Sequence, residues 1–185
     1  LSSPSGAGKT TLVKKISSKN NFKISISHTT RKPRVNEKNG KDYYFVNYQK
    51  FKKLIKNQKF LEYAKVFKNY YGSLKETVIS RLIKGENVIF DIDWQGTKQL
   101  SKFKNLNLIK IYLITENKEE LKKRLINRNQ NTADEIEKRF KSFDKDIQHW
   151  NDYDYIIINK NLEVCFKQIE KIISEKKISL LHIIQ

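Results

Sequence analysis

The sequence predicts an α/β protein with a three-layer core, in which a parallel sheet lies between helices. Short β-rich runs alternate with amphipathic helical runs along most of the chain. Three strand-like runs, 88–90, 109–113 and 156–158, are continuously apolar, which is typical of a parallel sheet covered on both faces. The stretch 28–72 differs, because its strands are shorter, more polar and rich in tyrosine. It predicts a small α+β insertion into the core.

Residue patterns place six strands and six helices along the chain. The strands are expected at 23–27, 43–46, 60–67, 87–91, 108–114 and 155–158. The helices, with apolar residues at three- and four-residue spacing, are expected at 10–18, 51–57, 73–83, 118–126, 133–148 and 162–175. Thr132 or Asp134 is expected to cap the fifth helix.

Composition narrows the class of protein. The 185 residues carry 38 Lys and Arg against 20 Asp and Glu, a formal net charge of +18. A basic chain suits a nucleic-acid partner, but most of these cations are lysines scattered through a Lys-, Ile- and Asn-rich sequence, so we expect no specific nucleic-acid binding. The apolar runs are too short to cross a membrane, and the single cysteine, Cys165, excludes an internal disulfide framework. We therefore expect a cytoplasmic protein without a membrane partner.

A glycine-rich segment near the start is the sharpest local signal. Residues 3–10, Ser-Pro-Ser-Gly-Ala-Gly-Lys-Thr, match the phosphate-loop pattern G-x-x-x-x-G-K-[ST] except that serine replaces the first glycine. The glycines let successive N–H groups turn around a phosphate, and the following helix adds its positive dipole end. Lys9 is expected to reach the terminal phosphates of a nucleoside triphosphate, and Thr10 to offer a hydroxyl to Mg²⁺. The expected ATP-binding residues are Ser3, Pro4, Ser5, Gly6, Ala7, Gly8, Lys9, Thr10 and Thr11.

The phosphate loop lies close to the first residue of the chain. A buried strand normally precedes such a loop, but only Leu1 and Ser2 come before it here. The chain also contains no methionine. We therefore expect the natural protein to carry further, mostly apolar, residues upstream.

Five more segments follow the loop and together carry a family resemblance. They are 27–34 (Ser-His-Thr-Thr-Arg-Lys-Pro-Arg), 39–43 (Asn-Gly-Lys-Asp-Tyr), 60–64 (Phe-Leu-Glu-Tyr-Ala), 69–73 (Asn-Tyr-Tyr-Gly-Ser) and 89–96 (Ile-Phe-Asp-Ile-Asp-Trp-Gln-Gly). In this order and spacing the sequence resembles the guanylate kinases, which transfer a phosphoryl group from ATP to GMP. The resemblance runs from the loop to Arg139, about three quarters of the chain.

The resemblance implies a role for individual residues. The residues implied to bind GMP are Arg31, Arg34, Tyr43 and Tyr71 for its phosphate, Ser27, Glu62 and Ser73 for guanine, and Asp93 close to the nucleotide. The implied catalytic residues are Lys9, Arg124, Arg128 and Arg139. Thr10 and Asp91, the latter through water, are implied to hold Mg²⁺, which would enter with ATP as co-substrate. ATP and GMP are the implied partners, and the oligomeric state is left open.

The resemblance also implies how a single domain, 1–185, is divided. The phosphate-loop core would comprise 1–27 and 75–185, and the α+β insertion, 28–74, would bind GMP. A short helical lid would occupy about 124–140, with its tip at 129–132. Closure of the lid and insertion around both nucleotides would exclude water.

The chemistry of two residue types supports these roles independently. A carboxylate such as Glu62 accepts hydrogen bonds from both N1–H and the 2-amino group of guanine, a paired donor edge that adenine lacks. Of the six arginines, only Arg81 lies outside the resembling positions. In a chain whose default cation is lysine, that distribution indicates sites that need a planar guanidinium. Surface ion pairs with Glu119, Glu120 or Asp134 are the alternative reading for Arg124 and Arg128.

Three alternatives from other classes stay open at this point. The chain could phosphorylate another small phosphate ester of the ribose bisphosphate type, although its guanine-side residues oppose that reading. It could be a catalytically inactive guanylate-kinase-like binding module, although Gly8, Lys9 and Thr10 are intact. It could bind nucleic acid without sequence specificity, which its charge alone would favour.

Overall fold

The computed structural model describes residues 1–19, 22–127 and 133–183. Arg128, the expected lid tip at 129–132 and the expected cap Thr132 lie outside the described residues. The helices are α1 (Lys9–Lys19), α2 (Tyr48–Lys56), α3 (Lys75–Ile83), α4 (Trp94–Leu100), α5 (Lys118–Asn127), α6 (Ala133–Ile147) and α7 (Leu162–Ile183). The strands are β1 (Phe22–Ser25), β2 (His28–Thr29), β3 (Tyr44–Phe45), β4 (Phe60–Val66), β5 (Asn69–Leu74), β6 (Asn87–Phe90), β7 (Ile111–Ile114) and β8 (Tyr155–Ile158).

The core is built on parallel strands. β1 pairs with β6, and β7 pairs with β8, both in parallel. Residues 1–2 join the two pairs, because Ser2 bridges Tyr112 in parallel and the Ile92 N–H donates to the Leu1 carbonyl at 3.4 Å. The carboxyl ends of these strands therefore share one edge with the phosphate loop, where ligands of open α/β sheets bind.

Two apolar clusters cover the faces of this sheet. On one face α1 and α7 pack through Leu12, Ile16, Phe166 and Ile169, all buried. A second cluster joins α3 and α4 to β4 and β6, with Val78 and Leu100 at its centre. Helices on both faces of a parallel sheet give the three layers that the sequence predicts.

The insertion forms a separate four-stranded sheet in the order β3-β2-β5-β4. β4 and β5 are an antiparallel hairpin, and β2 pairs with both β3 and β5. Helix α2 packs on this sheet through Phe51, whose fully buried ring stacks on Phe60 with centroids 4.5 Å apart.

Several predicted elements differ from the observed ones. The helix expected at 73–83 begins only at Lys75, because Ser73 and Leu74 end strand β5. Neither β5 nor α4 was expected, since both contain glycine and polar residues that weaken a periodic pattern. Asp134 is the second residue of α6 and so cannot be its cap.

Strand β8 also departs from the expectation of a sheet covered on both faces. Ile156 is 40% exposed and Ile158 49% exposed. β8 pairs only with β7 among the described strands, so it lies at the sheet edge with one face open.

No helix within the described ranges combines the length and apolar character needed to cross a membrane.

Candidate active site

A cleft of about 820 Å³ opens between the phosphate loop, the insertion and helix α6. The predicted site residues that line it are Ser3, Pro4, Ser5, Gly6, Gly8, Lys9, Thr10, Ser27, Arg31, Arg34, Tyr43, Glu62, Tyr71, Asp91, Asp93 and Arg139. Four others do not line it: Ala7 and Ser73 are buried behind its wall, Thr11 is exposed, and Arg124 points elsewhere. The fold thus brings together residues that lie more than 130 positions apart in the sequence.

The phosphate loop takes a backbone conformation that depends on glycine. Gly6 and Gly8 have φ angles of +100° and +94°, which side-chain-bearing residues rarely adopt. The amide of Asn159 donates to the Ala7 carbonyl at 2.7 Å and would lie 2.6 Å from a Cβ placed on Gly8. Asn159 therefore braces the loop from behind, a role that sequence reasoning missed. The available signal was its position directly after the apolar strand β8.

Lys9, Thr10 and Asp91 form one partly buried group at the end of β6. Lys9 makes an ion pair with Asp91 and donates to the Ile92 carbonyl at 2.8 Å. Thr10 Oγ1 donates to Asp91 Oδ2 at 2.7 Å. Burial alone would raise the pKa of Asp91, but Lys9 and the Thr10 hydroxyl together hold it below its usual value. Asp91 is accordingly an anion at neutral pH.

The oxygen atoms of Thr10 and Asp91 are suitable ligands for a hard divalent cation, but they are few. One carboxylate and one hydroxyl suit Mg²⁺, which commonly uses one or two carboxylates plus substrate phosphates. No cluster of three or more His, Cys, Asp or Glu among the described residues could hold a metal by itself. The donor set therefore matches a cation delivered with a nucleotide.

A cationic pocket lies across the cleft, in the insertion. The Arg31 guanidinium carbon lies 5.3 Å from the centre of the Tyr43 ring, and that ring packs edge-on against Tyr71. Glu37, which the sequence reasoning also missed, accepts from Arg31 Nη2 at 2.7 Å and from the Arg34 N–H at 2.8 Å. Burial would raise the pKa of Glu37, but both arginines hold it below its usual value. A carboxylate thus orients the two arginines that would meet a phosphate.

Glu62 is the most unusual ionisable group in the cleft. It is only 3% exposed and faces Ser73 across the β4–β5 ladder. Glu62 Oε1 and the Ser73 hydroxyl are buried without a hydrogen-bond partner among the described residues. Burial raises the pKa of Glu62 to about 7, against an opposing contribution from Ser73. Such orphaned polar atoms indicate a ligand with matching donors.

Helix α4 shapes the floor beneath Glu62. Asp93 caps this helix by accepting from the Gly96 N–H at 3.0 Å. A Cβ at Gly96 would overlap the carboxylate oxygen of Glu62. The absence of a side chain at this position is therefore what leaves room for the buried carboxylate.

The two described arginines of the expected lid take different positions. Arg139 Nη1 donates to the Ser5 hydroxyl at 2.8 Å, so α6 contributes a guanidinium directly to the phosphate loop. Arg124 instead pairs with Glu120 at 2.8 Å and donates to the Asn159 carbonyl at 2.9 Å. The ion pair with Glu120 is the alternative that the sequence left open for Arg124.

Helix α6 also brings an acid that the sequence reasoning did not select. Asp146 lines the cleft two turns after Arg139. Burial raises the pKa of Asp146 to about 6, and the nearby Asp93 adds to the shift. The cleft therefore contains two carboxyl groups, Glu62 and Asp146, that titrate close to neutral pH.

Comparisons with known proteins identify the family of this chain. A family model described as guanylate kinase matches residues 1–176. A guanylate kinase from Rickettsia prowazekii (strain Madrid E) is 45% identical over 174 residues, covering 94% of this chain and 88% of that protein. The chain belongs to the guanylate kinase family. The guanylate kinase of Wolbachia pipientis wMel is 42% identical over 182 residues, covering 98% of this chain and 90% of that protein.

A solved structure confirms the fold of this chain. The crystal structure of guanylate kinase from Anaplasma phagocytophilum matches with a TM-score of 0.77 and 31% identity, covering 95% of this chain and 82% of that one. The predicted α/β fold class and the family resemblance are therefore confirmed.

The raised pKa of Glu62 predicts how the stability of this guanylate kinase depends on pH. The folded state holds the proton up to about pH 7, whereas the unfolded chain releases it near 4.5. The stabilising contribution is therefore complete below pH 4.5 and is lost as the pH rises through 7. Relative to Glu62→Gln, the wild type should lose about 3 kcal/mol of unfolding free energy between pH 4.5 and 8. Urea unfolding of both proteins checks this, and a pH-independent gap would contradict it.

The contacts of Glu37 predict a selective effect on GMP. Glu37→Gln removes the charge that orients Arg31, so we expect the KM for GMP to rise about 10-fold. The KM for ATP should stay within about 2-fold, since Glu37 contacts only the insertion arginines. Steady-state kinetics with Glu76→Gln, an exposed acid on α3, as the matched control would measure this. A lower KM for GMP would mean that Glu37 competes with the phosphate instead of positioning the arginines.

Proposed function

We propose that this cleft is where the guanylate kinase transfers the γ-phosphoryl group of ATP to GMP, giving ADP and GDP. The observation that carries the assignment is the pairing of two unlike sites in one cleft. The phosphate loop with Lys9 lies at one side, and the orphaned Glu62 carboxylate lies at the other. A nucleotide donor and a guanine acceptor would therefore meet between them.

Guanine recognition follows from the buried pair Glu62 and Ser73. The carboxylate would accept from N1–H and from the 2-amino group of guanine, and the Ser27 hydroxyl, which lines the cleft, would add a further contact. Ser73 lies behind the wall, where it would stand beside the Glu62 carboxylate. An adenine ring offers no such paired donor edge, so its binding would leave a buried carboxylate unsatisfied. A pKa near 7 means that guanine would capture the ionised form and displace a proton from about half of the molecules at neutral pH.

The GMP phosphate would sit in the pocket of Arg31, Arg34, Tyr43 and Tyr71. Two guanidinium forks and two phenol hydroxyls suit the oxygens of a phosphate monoester. Glu37 would keep Arg31 in place before GMP arrives, which lowers the ordering cost of binding. Asp93, at the start of α4, would lie close to the nucleoside.

The transfer step needs positioning and charge neutralisation more than covalent chemistry. A GMP phosphate oxygen attacks the γ-phosphorus of ATP, and the bond from that phosphorus to the β–γ bridging oxygen breaks to release ADP. Lys9 and Arg139 would stabilise negative charge on the transferring group. Arg124 and Arg128 would join them as the lid, about 124–140, closes over the insertion, 28–74.

We also propose that Thr10 and Asp91 hold Mg²⁺, with Asp91 acting through water. When bound, the cation neutralises phosphate charge and orients the triphosphate. Lys9 keeps Asp91 ionised, so the carboxylate is ready to accept hydrogen bonds from metal-bound water.

ATP and GMP as substrates, with one buried thiol at Cys165, suit a cytoplasmic location.

A coupled ADP-release assay tests the proposed function. The assay contains ATP and Mg²⁺ with GMP, AMP, UMP or CMP supplied separately. We expect turnover with GMP that exceeds turnover with AMP by at least about 10⁴-fold in kcat/KM, because a polar pocket rejects a base that lacks its donors. Equal use of AMP would remove Glu62 from the base site, and no turnover with any acceptor would contradict the function itself.

Lys9 provides a test of the phosphate-transfer side alone. Lys9→Ala should lower kcat by about 10³-fold or more while the Kd for GMP stays within about 3-fold, since Lys9 lies on the donor side. Calorimetry with GMP and single-turnover kinetics measure the two quantities. Lys19→Ala, an exposed lysine on the same helix, is the matched control and should behave as the wild type. An equal loss of GMP affinity would contradict the donor-side assignment.

A further inference from the structure

The tip of the β4–β5 hairpin has a feature that the proposed function does not use. Phe67 forms the turn with a φ angle of +55°, a left-handed conformation that is costly for a bulky residue. Gln58 is the other non-glycine residue with positive φ in the described part of the chain. The Phe67 ring is 45% exposed and lines the cleft, so it contributes little to the packing of the insertion.

The neighbour of this ring is a guanidinium from another part of the chain. The Arg139 Cζ lies 6.0 Å from the centre of the Phe67 ring, within the range of a cation–π contact. The same guanidinium donates from Nη1 to the Ser5 hydroxyl in the phosphate loop. Arg139 is therefore held between the tip of the insertion and the loop that would hold the ATP phosphates.

The hairpin connects this contact to the acceptor site. β4 carries Glu62 and β5 carries Tyr71, and the two strands are hydrogen-bonded up to the Val66–Asn69 pair beside the turn. A movement of the hairpin that accompanies GMP binding would therefore carry Phe67 with it. Through the ring, the same movement would reach the Arg139 guanidinium.

We propose that Phe67 is a positioning residue that aims Arg139 at the transferring phosphoryl group. This rests on the proposed function, because it assumes that Arg139 acts on that group. The aromatic face restricts the planar guanidinium to an orientation that a flexible surface arginine would not keep. The left-handed turn is the conformation that presents the ring to α6 at the edge of the cleft.

Substitutions at Phe67 distinguish the effect of the aromatic ring from the effect of the turn conformation. Phe67→Gly removes the ring but suits a positive φ, so the hairpin should fold as before. We expect kcat to fall about 3- to 30-fold, which corresponds to a cation–π contact, with the KM values for GMP and ATP within about 2-fold. Phe67→Tyr keeps the aromatic face and should restore kcat to within about 2-fold of the wild type. Gln58→Gly, at the other left-handed position, is the matched control and should leave kcat unchanged.

A double-mutant cycle with Arg139→Gln identifies the partner. If Phe67 acts through Arg139, Phe67→Gly should cause no further loss of kcat in the Arg139→Gln background. The proposal would be overturned if Phe67→Gly lowered kcat by the same factor in the wild-type and Arg139→Gln backgrounds. An unchanged kcat, or a change confined to KM, would also overturn it. A failure of the proposed function would look different, because the wild-type protein would then not phosphorylate GMP at all.

Discussion

The ion pair between Lys9 and Asp91 is the contact on which the phosphate-loop side of the cleft depends. It connects the first turn of α1 to the carboxyl end of β6, and Lys9 also donates to the Ile92 carbonyl. The two side chains are only 17% and 16% exposed, so removing either partner would leave the other charge poorly compensated. The pair therefore holds the phosphate loop against the carboxyl end of β6, on the phosphate-loop side of the cleft.

The layered core was predictable because its signals are local. The continuously apolar runs and the periodic helices follow from burial on a sheet with two covered faces. The missed elements share a different cause. Strand β5 contains asparagine and glycine and is stabilised by its partners β2 and β4, and α4 is short and set by the Asp93 cap. Such elements depend on tertiary pairing, which no local pattern contains.

The residues of the candidate site also fall into a predictable group and a missed group. The phosphate loop was predictable because its backbone geometry requires glycine at fixed spacing, and the family resemblance supplied most of the other residues that line the cleft. Glu37 and Asn159 were missed because they act on other protein groups, Arg31 and the Ala7 carbonyl, rather than on a ligand. Residues of that kind have no characteristic spacing. Ser73, which does not line the cleft, is placed beside Glu62 only by the strand register.

The close approach of Gly96 to Glu62 has a consequence for how this pocket can change over evolutionary time. Because a methyl group at position 96 would occupy the space of the carboxylate, neither position can vary alone without disturbing the other. A shorter acid at 62 would open a void that alanine at 96 could fill, whereas either single step would leave a cavity or a clash. The two positions form one unit of covariation, so a redesign of this part of the cleft would have to begin by changing both.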